Sequence, residues 1–126
     1  MKRRHRLSRS RDFDAVYRKG RSVSTRYLVL YAFPRDEEEQ APEPEPRLGL
    51  AISRKVGGAV ARNRLKRRLR EVFTALADTV QPGYDYVLVA RPGLAEAAEE
   101  GGHSWLADRV ADVFRLLDAS PQGARA

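Results

Sequence analysis

Residues 59–77 read AVARNRLKRRLREVFTALA, and the fold turns on this stretch. At 100° per residue, Ala61, Leu65, Leu69, Val72 and Leu76 fall within about 80° of arc, with Phe73 beside them. That stripe predicts a helix over about 59–77 whose apolar side faces a core. The rest of its circumference is basic. Lys66, Arg70, Asn63, Arg67, Arg64 and Arg68 follow one another around it, Arg62 lies at the edge of the apolar stripe, and Glu71 is the only acid. The six like charges between Arg62 and Arg70 repel one another, and i,i+4 pairs such as Arg64/Arg68 each cost a few tenths of a kcal/mol. A merely solvated face mixes signs to avoid this. The cost is offset if phosphates neutralise the ridge in a complex, with counterion release adding affinity. Asn63 is a poor helix former set centrally in the polar arc, where an amide can meet a base edge or a ribose.

Working outward from that helix, Gly57-Gly58 punctuates its start and Leu48 to Ser53 reads as an apolar strand before it. Pro34 to Pro46 is Glu- and Pro-rich without periodicity, which predicts a solvated, mobile loop. Arg21 to Phe33 carries β-branched and aromatic residues, Val23 and then Tyr27-Leu-Val-Leu-Tyr31, as one broken strand or a hairpin. Ser10 is placed to cap a short helix ending near Lys19, with Phe13, Val16 and Tyr17 on one face and Gly20 as its stop. On the other side, Pro82-Gly83 ends the basic helix segment. Tyr84 to Ala90 is a nearly continuous apolar strand, the pattern of a strand covered on both faces. Arg91-Pro92-Gly93 turns the chain, and residues 94–102 are ambiguous between frayed helix and loop. Ser104 is placed to cap a final helix burying Leu106, Val110, Val113, Phe114 and Leu117, with Trp105 packing it onto the sheet. The order αββ(loop)βαβα predicts an α+β fold, an α/β sandwich of helices against one sheet. Residues 1–118 are expected to form a single RNA-binding domain with the acidic loop at 34–46, and 119–126 a disordered tail.

The totals agree with one domain. The chain has 126 residues, 42% of them apolar, enough for a core without staples. There is no cysteine, which removes disulfides, thiolate metal sites and cysteine nucleophiles and is compatible with the cytoplasm. Met1 to Arg11 holds six Arg or Lys residues with no apolar run behind them, so no secretory signal is expected. No window approaches the roughly 18 apolar residues of a membrane span. The net charge of +7 points to a polyanionic partner, and it is concentrated in two blocks. Residues 1–26 carry +8 and residues 53–70 another +8, against −5 over 34–46 and −4 over 78–126. Arg outnumbers Lys twenty to four; guanidinium groups fork onto phosphates and stack on bases, although a GC-rich genome yields the same ratio.

Little points to a self-contained active site. His5 lies in a basic tail and His103 in a Gly-rich segment, a poor general acid–base pair. Asp12 and Asp14 fall in a first helical turn, where the macrodipole favours acids without any metal. Gly57-Gly58 is not followed by Gly-Lys-Ser/Thr, so no nucleotide loop is expected. Phe13 and Tyr17 at i,i+4 fit ordinary core packing, and the alternation at Tyr31 leaves its buried face open.

The same residues carry a family resemblance. Arg62-Asn63-Arg64, followed by Leu65-Lys66-Arg67 and Leu69-Arg70, resembles the RNR signature of the bacterial ribonuclease P protein. Gly49-Leu-Ala-Ile-Ser-Arg-Lys-Val-Gly57 before it, Arg6-Leu7, Asp12-Phe13, Val16-Tyr17 and Gly20 at the start, Val29-Leu-Tyr31 and Val87-Leu-Val-Ala-Arg91 agree with it. The resemblance runs from about Lys2 to Leu117 and is specific in combination. It implies one mainly four-stranded sheet packed by helices, with a left-handed strand–helix–strand crossover at the RNR helix, an exception to the usual hand. It implies a protein subunit of ribonuclease P, joined to a catalytic RNA that removes the 5′ leader of precursor tRNA. Catalysis then resides in that RNA and its Mg2+ ions, with no organic cofactor, no protein catalytic residue, no membrane and no obligate protein partner. Residue by residue, it implies RNA contacts at Arg54, Lys55, Arg62, Asn63, Arg64, Lys66, Arg67, Arg68 and Arg70. The leader would lie in a cleft at Phe13, Tyr17 and Tyr31, because aromatic stacking holds single strands without sequence preference. The loop at 34–46 is longer and more acidic than the family pattern and should swing away from RNA.

Two other functions compete. A ribosomal or DNA-binding module would also carry a basic helix, but no second helix precedes this one at helix-turn-helix spacing. A self-sufficient nuclease would need a carboxylate cluster or a histidine pair near the basic face, and neither is present in the sequence.

Overall fold

The computed structural model describes residues 21–35 and 45–119. The expected helix over 10–19, with Phe13 and Tyr17, lies outside the described residues, as do most of the acidic loop and residues 120–126. The elements are β1 (Arg21–Ser24), β2 (Leu28–Pro34), β3 (Arg47–Ala51), a 3₁₀ turn (Arg54–Val56), α1 (Ala59–Leu76), β4 (Tyr84–Ala90) and α2 (Leu94–Ala119). The broken strand of the sequence is therefore a hairpin. Thr25 closes it, its amide donating to the Leu28 carbonyl (2.8 Å) and its hydroxyl accepting from the Leu28 amide (3.3 Å).

The four strands form one mixed sheet in the order β1-β2-β4-β3. β2 runs antiparallel to β1 and β4, while β3 and β4 are parallel and adjacent. Parallel neighbours cannot be joined by a tight turn, and α1 supplies the crossover between them. Period-two alternation divides the sheet cleanly. Leu28, Leu30 and Ala32 of β2, with Tyr86, Leu88 and Ala90 of β4, face the helices and form one core with Leu65, Leu69, Val72 and Phe73 of α1 and Leu106, Val110, Val113, Phe114 and Leu117 of α2. Val87 points the other way, fully buried among Tyr31, Phe33, Ala51 and Val89. This is the two-sided burial expected for β4.

Aromatic rings tie the layers together. Tyr86 meets Phe114 edge-on at 5.1 Å between centroids, and Phe73 lies 6.1 Å from Phe114 and 6.5 Å from Tyr86, within the range of favourable ring pairs. Burial, its largest cause, pushes the Tyr86 hydroxyl well above the usual phenol range, and that hydroxyl donates to the Gln81 carbonyl (3.2 Å). Trp105 packs edge-on against Tyr27, just before β2, at 5.2 Å, which is the docking role expected of it.

Three local expectations are corrected. Ala61, placed by its spacing on the core stripe, is exposed, and Leu76 is only half-buried. The first turn of α1 reaches past the core, and Ala61 lines a shallow surface depression with Leu65, Ala95 and Ala98. Residues 94–101 are helical rather than frayed, and Ser104 lies inside the following helical stretch. The break falls at Gly102, whose φ of 81° belongs to the left-handed region where glycine is favoured. Its neighbour Gly101 admits the Trp105 ring, since a Cβ there would stand 2.5 Å from Trp105 Cγ.

Asp85 interrupts the apolar run of β4 and is 5% exposed. It accepts a forked pair of bonds from its register partner Arg47, and Arg35, itself 8% exposed, lies 3.4 Å away. Arg35 also donates to the Glu45 carbonyl, so the two ends of the acidic loop are pinned together at the sheet edge. Among the described residues no helix is long and apolar enough to cross a membrane.

Candidate nucleic-acid interface

The two chemistries of α1 separate as its periodicity requires. Leu65, Leu69, Val72 and Phe73 are buried. Asn63, Arg64 and Arg67 are exposed, and Arg62, Lys66, Arg68 and Arg70 are half-buried along the flanks, with the Arg62 Nε buried. Arg54 and Lys55 are exposed on the 3₁₀ turn just ahead, anchored by buried Val56. All nine sequence-predicted RNA contacts thus lie on α1 or the turn that leads into it.

The start of α1 strengthens the positive field. Gly58 occupies the N-cap without a side-chain hydrogen bond, and no acid stands in the first turn. The positive end of the helix dipole is therefore uncompensated there, beside Arg54, Lys55 and Arg62. Val60, in line with Arg64 and Arg67 at helical spacing, is 82% exposed.

Among the described residues, a carboxylate of α2 answers Arg64 and Arg68 of the ridge. Arg64 Nη1 donates to Glu99 Oε1 of α2 at 2.8 Å, and Arg68 Nη1 lies 3.8 Å from the same oxygen. The hydrogen bond from Arg64 first, and its charge second, hold the Glu99 carboxyl below the usual carboxylate range; the same bond raises Arg64. Among the described residues no carboxylate lies within ion-pair distance of Arg62, Lys66 or Arg67. Among the described residues, Glu99 thus neutralises the ridge on its α2 side.

Tyr31 is placed on the sheet face turned away from α1 and α2, against Val87. Phe33, two residues on, shares that face, a second aromatic that the same alternation would have found. Phe13 and Tyr17 lie outside the described residues. Among the described residues no three His, Asp or Glu side chains gather as a metal site, and His103 is an exposed residue of α2. Glu99 was not singled out from the sequence because nothing local in an Ala/Glu-rich segment marks which acid reaches a neighbouring helix.

Comparison with known proteins gives a single answer. The family model for ribonuclease P matches residues 1–108. The chain is 43% identical over 100 residues to a ribonuclease P protein component of Bacillus cereus, covering 79% of this chain and 83% of the relative. A Bacillus anthracis protein of the same description is 42% identical over 100 residues, covering 79% and 80%. Among solved structures, a mutant of the Staphylococcus aureus RNase P protein superposes with a TM-score of 0.75 at 29% identity, covering 91% of this chain and 89% of that one. The Thermotoga maritima RNase P protein gives 0.74 at 28% identity, covering 86% and 94%.

Proposed function

The chain belongs to the bacterial ribonuclease P protein family and is a protein subunit of ribonuclease P, and from that premise we propose that it uses opposite sides of its sheet for two RNAs. The outer face of α1 and the turn before it hold the catalytic RNA through Arg54, Lys55, Arg62, Asn63, Arg64, Lys66, Arg67, Arg68 and Arg70. The other sheet face holds the 5′ leader of precursor tRNA through Tyr31, with Phe13 and Tyr17. The observation that carries the first assignment is the ridge itself: cations at Arg62, Lys66 and Arg67 without ion-pair partners among the described residues are a standing electrostatic cost that phosphates relieve. The second is supported by an aromatic pair, Tyr31 and Phe33, half-buried on a sheet face, the geometry on which bases stack.

Mg2+ ions held mainly by the catalytic RNA would supply the hydrolytic chemistry. The protein's residues bind and orient: guanidinium groups neutralise RNA backbone, and aromatic rings position the leader. No organic cofactor and no obligate protein partner is required, and the cytoplasm is the expected compartment. Reconstitution tests this directly. The protein alone leaves precursor tRNA uncut, and adding it to the cognate RNA at low magnesium restores 5′ processing. Tyr31→Ala weakens capture of precursor tRNA by the holoenzyme while leaving affinity for leaderless tRNA unchanged. Robust cleavage by the protein alone, or equal losses for both tRNAs, contradicts the assignment.

A further inference from the structure

We infer that Glu99 is a resident anion of the RNA-binding site, occupying the guanidinium groups of Arg64 and Arg68 until RNA phosphate displaces it, and thereby setting how tightly α1 holds RNA. The inference rests on α1 facing RNA and names a residue on a different helix that works against binding.

The geometry supports displacement rather than a permanent brace. Arg64 and Arg68 stand one turn apart on α1 and converge on a single oxygen, Oε1 of Glu99, at 2.8 and 3.8 Å. Two guanidinium groups converging on one anionic oxygen is the arrangement a phosphate would take in its place. The side chains of Arg64 and Glu99 are 54% and 52% exposed, so an incoming phosphate reaches the pair and the carboxylate has room to leave. Among the described residues the pair is joined through Arg64 Nη1, a single contact in place of a locked fork.

Retaining Glu99 during binding is unfavourable. A carboxylate and a phosphate against one guanidinium are like charges a few ångströms apart, and like-charge juxtaposition opposes association. In the free protein Arg64 holds the Glu99 carboxyl below its usual range, so the group that RNA meets there is an anion. The neighbouring acids differ. Glu96 and Glu100 are exposed on the same helical stretch, and neither makes an ion pair with α1 among the described residues.

The free protein gains in exchange. Arg64 and Arg68 repel each other as an i,i+4 pair, and Glu99 relieves that repulsion while leaving Arg62, Lys66 and Arg67 available for first contact. RNA then meets an open part of the ridge first and exchanges for Glu99 afterwards.

The test measures affinity for the cognate catalytic RNA at fixed monovalent salt in a small set of variants. Glu99→Gln binds roughly two- to fivefold tighter than wild type, the range spanned by exposed ion pairs. Glu100→Gln, which removes the same charge without the contact, gives a smaller gain. In an Arg64→Ala background the gain from Glu99→Gln shrinks, because its main captive group is gone. Unchanged or weaker binding by Glu99→Gln overturns the inference, as does an equal gain from Glu100→Gln or a gain undiminished without Arg64. Arg67→Ala, measured alongside, separates the two levels. If it weakens binding and Glu99→Gln does not tighten it, the displacement idea alone fails; if Arg67→Ala is silent, the assignment of α1 fails with it.

Discussion

Arg47 Nε stands 2.7 Å from Asp85 Oδ1 and its Nη2 stands 2.8 Å from Oδ2, a forked ion pair between register partners on the parallel strands β3 and β4. The parallel pair is the part of the sheet on which the α1 crossover depends. Arg35, beside Asp85 and bonded to Glu45, extends the same charge cluster to the base of the acidic loop. An anionic loop is thus tethered at the edge where β3 begins, whereas α1 follows from the other end of β3.

Asp85→Ala removes the acceptor and leaves two guanidinium groups, one of them nearly fully buried, without their shared anion. Breaking a buried pair from one side costs about 3–5 kcal/mol; Arg47 is a quarter exposed, which favours the lower end. Urea unfolding should show a loss near 3 kcal/mol. A change below about 0.5 kcal/mol, the level of an ordinary surface substitution, contradicts a structural role for the fork.

Leu69 is 0% exposed at the centre of the buried stripe of α1. Leu69→Ala removes buried methyl groups and leaves a cavity, at about 2–5 kcal/mol. The measurement is again urea unfolding, paired with RNA binding on the folded fraction. Folded Leu69→Ala should keep the wild-type dependence of affinity on salt, because no cation is lost.

Tyr86 sets a dependence on alkaline pH. Burial raises its folded pKa above the unfolded value of 10.0. A raised pKa means that its contribution to stability is fully present below the unfolded value and is lost as pH rises above it. Wild-type stability should therefore fall above pH 10.0, and Tyr86→Phe should show a shallower fall. The same variant gives up the bond to Gln81, about 1 kcal/mol at neutral pH. Equal alkaline slopes for the two proteins would refute this.

Much of the architecture was legible because it follows from periodicity. The 3.6-residue stripe from Leu65 to Phe73, the alternation through Leu28, Leu30 and Ala32, and the continuous run from Tyr86 to Ala90 each impose one structure locally. What escaped depends on residues far apart in the chain. Asp85 looks like an interruption until Arg47 arrives from β3 and Arg35 from just beyond β2. Glu99 is one of several acids in an Ala/Glu-rich stretch until α2 docks beside α1. Ala61 has the spacing of a core residue, but the helix outruns its core there. The break at Gly102 falls two residues ahead of the predicted cap at Ser104, at a glycine free to take the left-handed conformation.

If the exposed ridge of α1 binds the catalytic RNA through phosphate, Arg67 reports on it with the fewest side effects, being exposed and without an ion pair among the described residues. The decisive measurement is the affinity of wild type and Arg67→Ala for the cognate catalytic RNA across a series of monovalent salt concentrations. Arg67→Ala should bind more weakly, with a salt slope reduced by about one and a folding stability within about 0.5 kcal/mol of wild type. Affinity and slope both matching wild type would mean that the ridge does not meet the RNA.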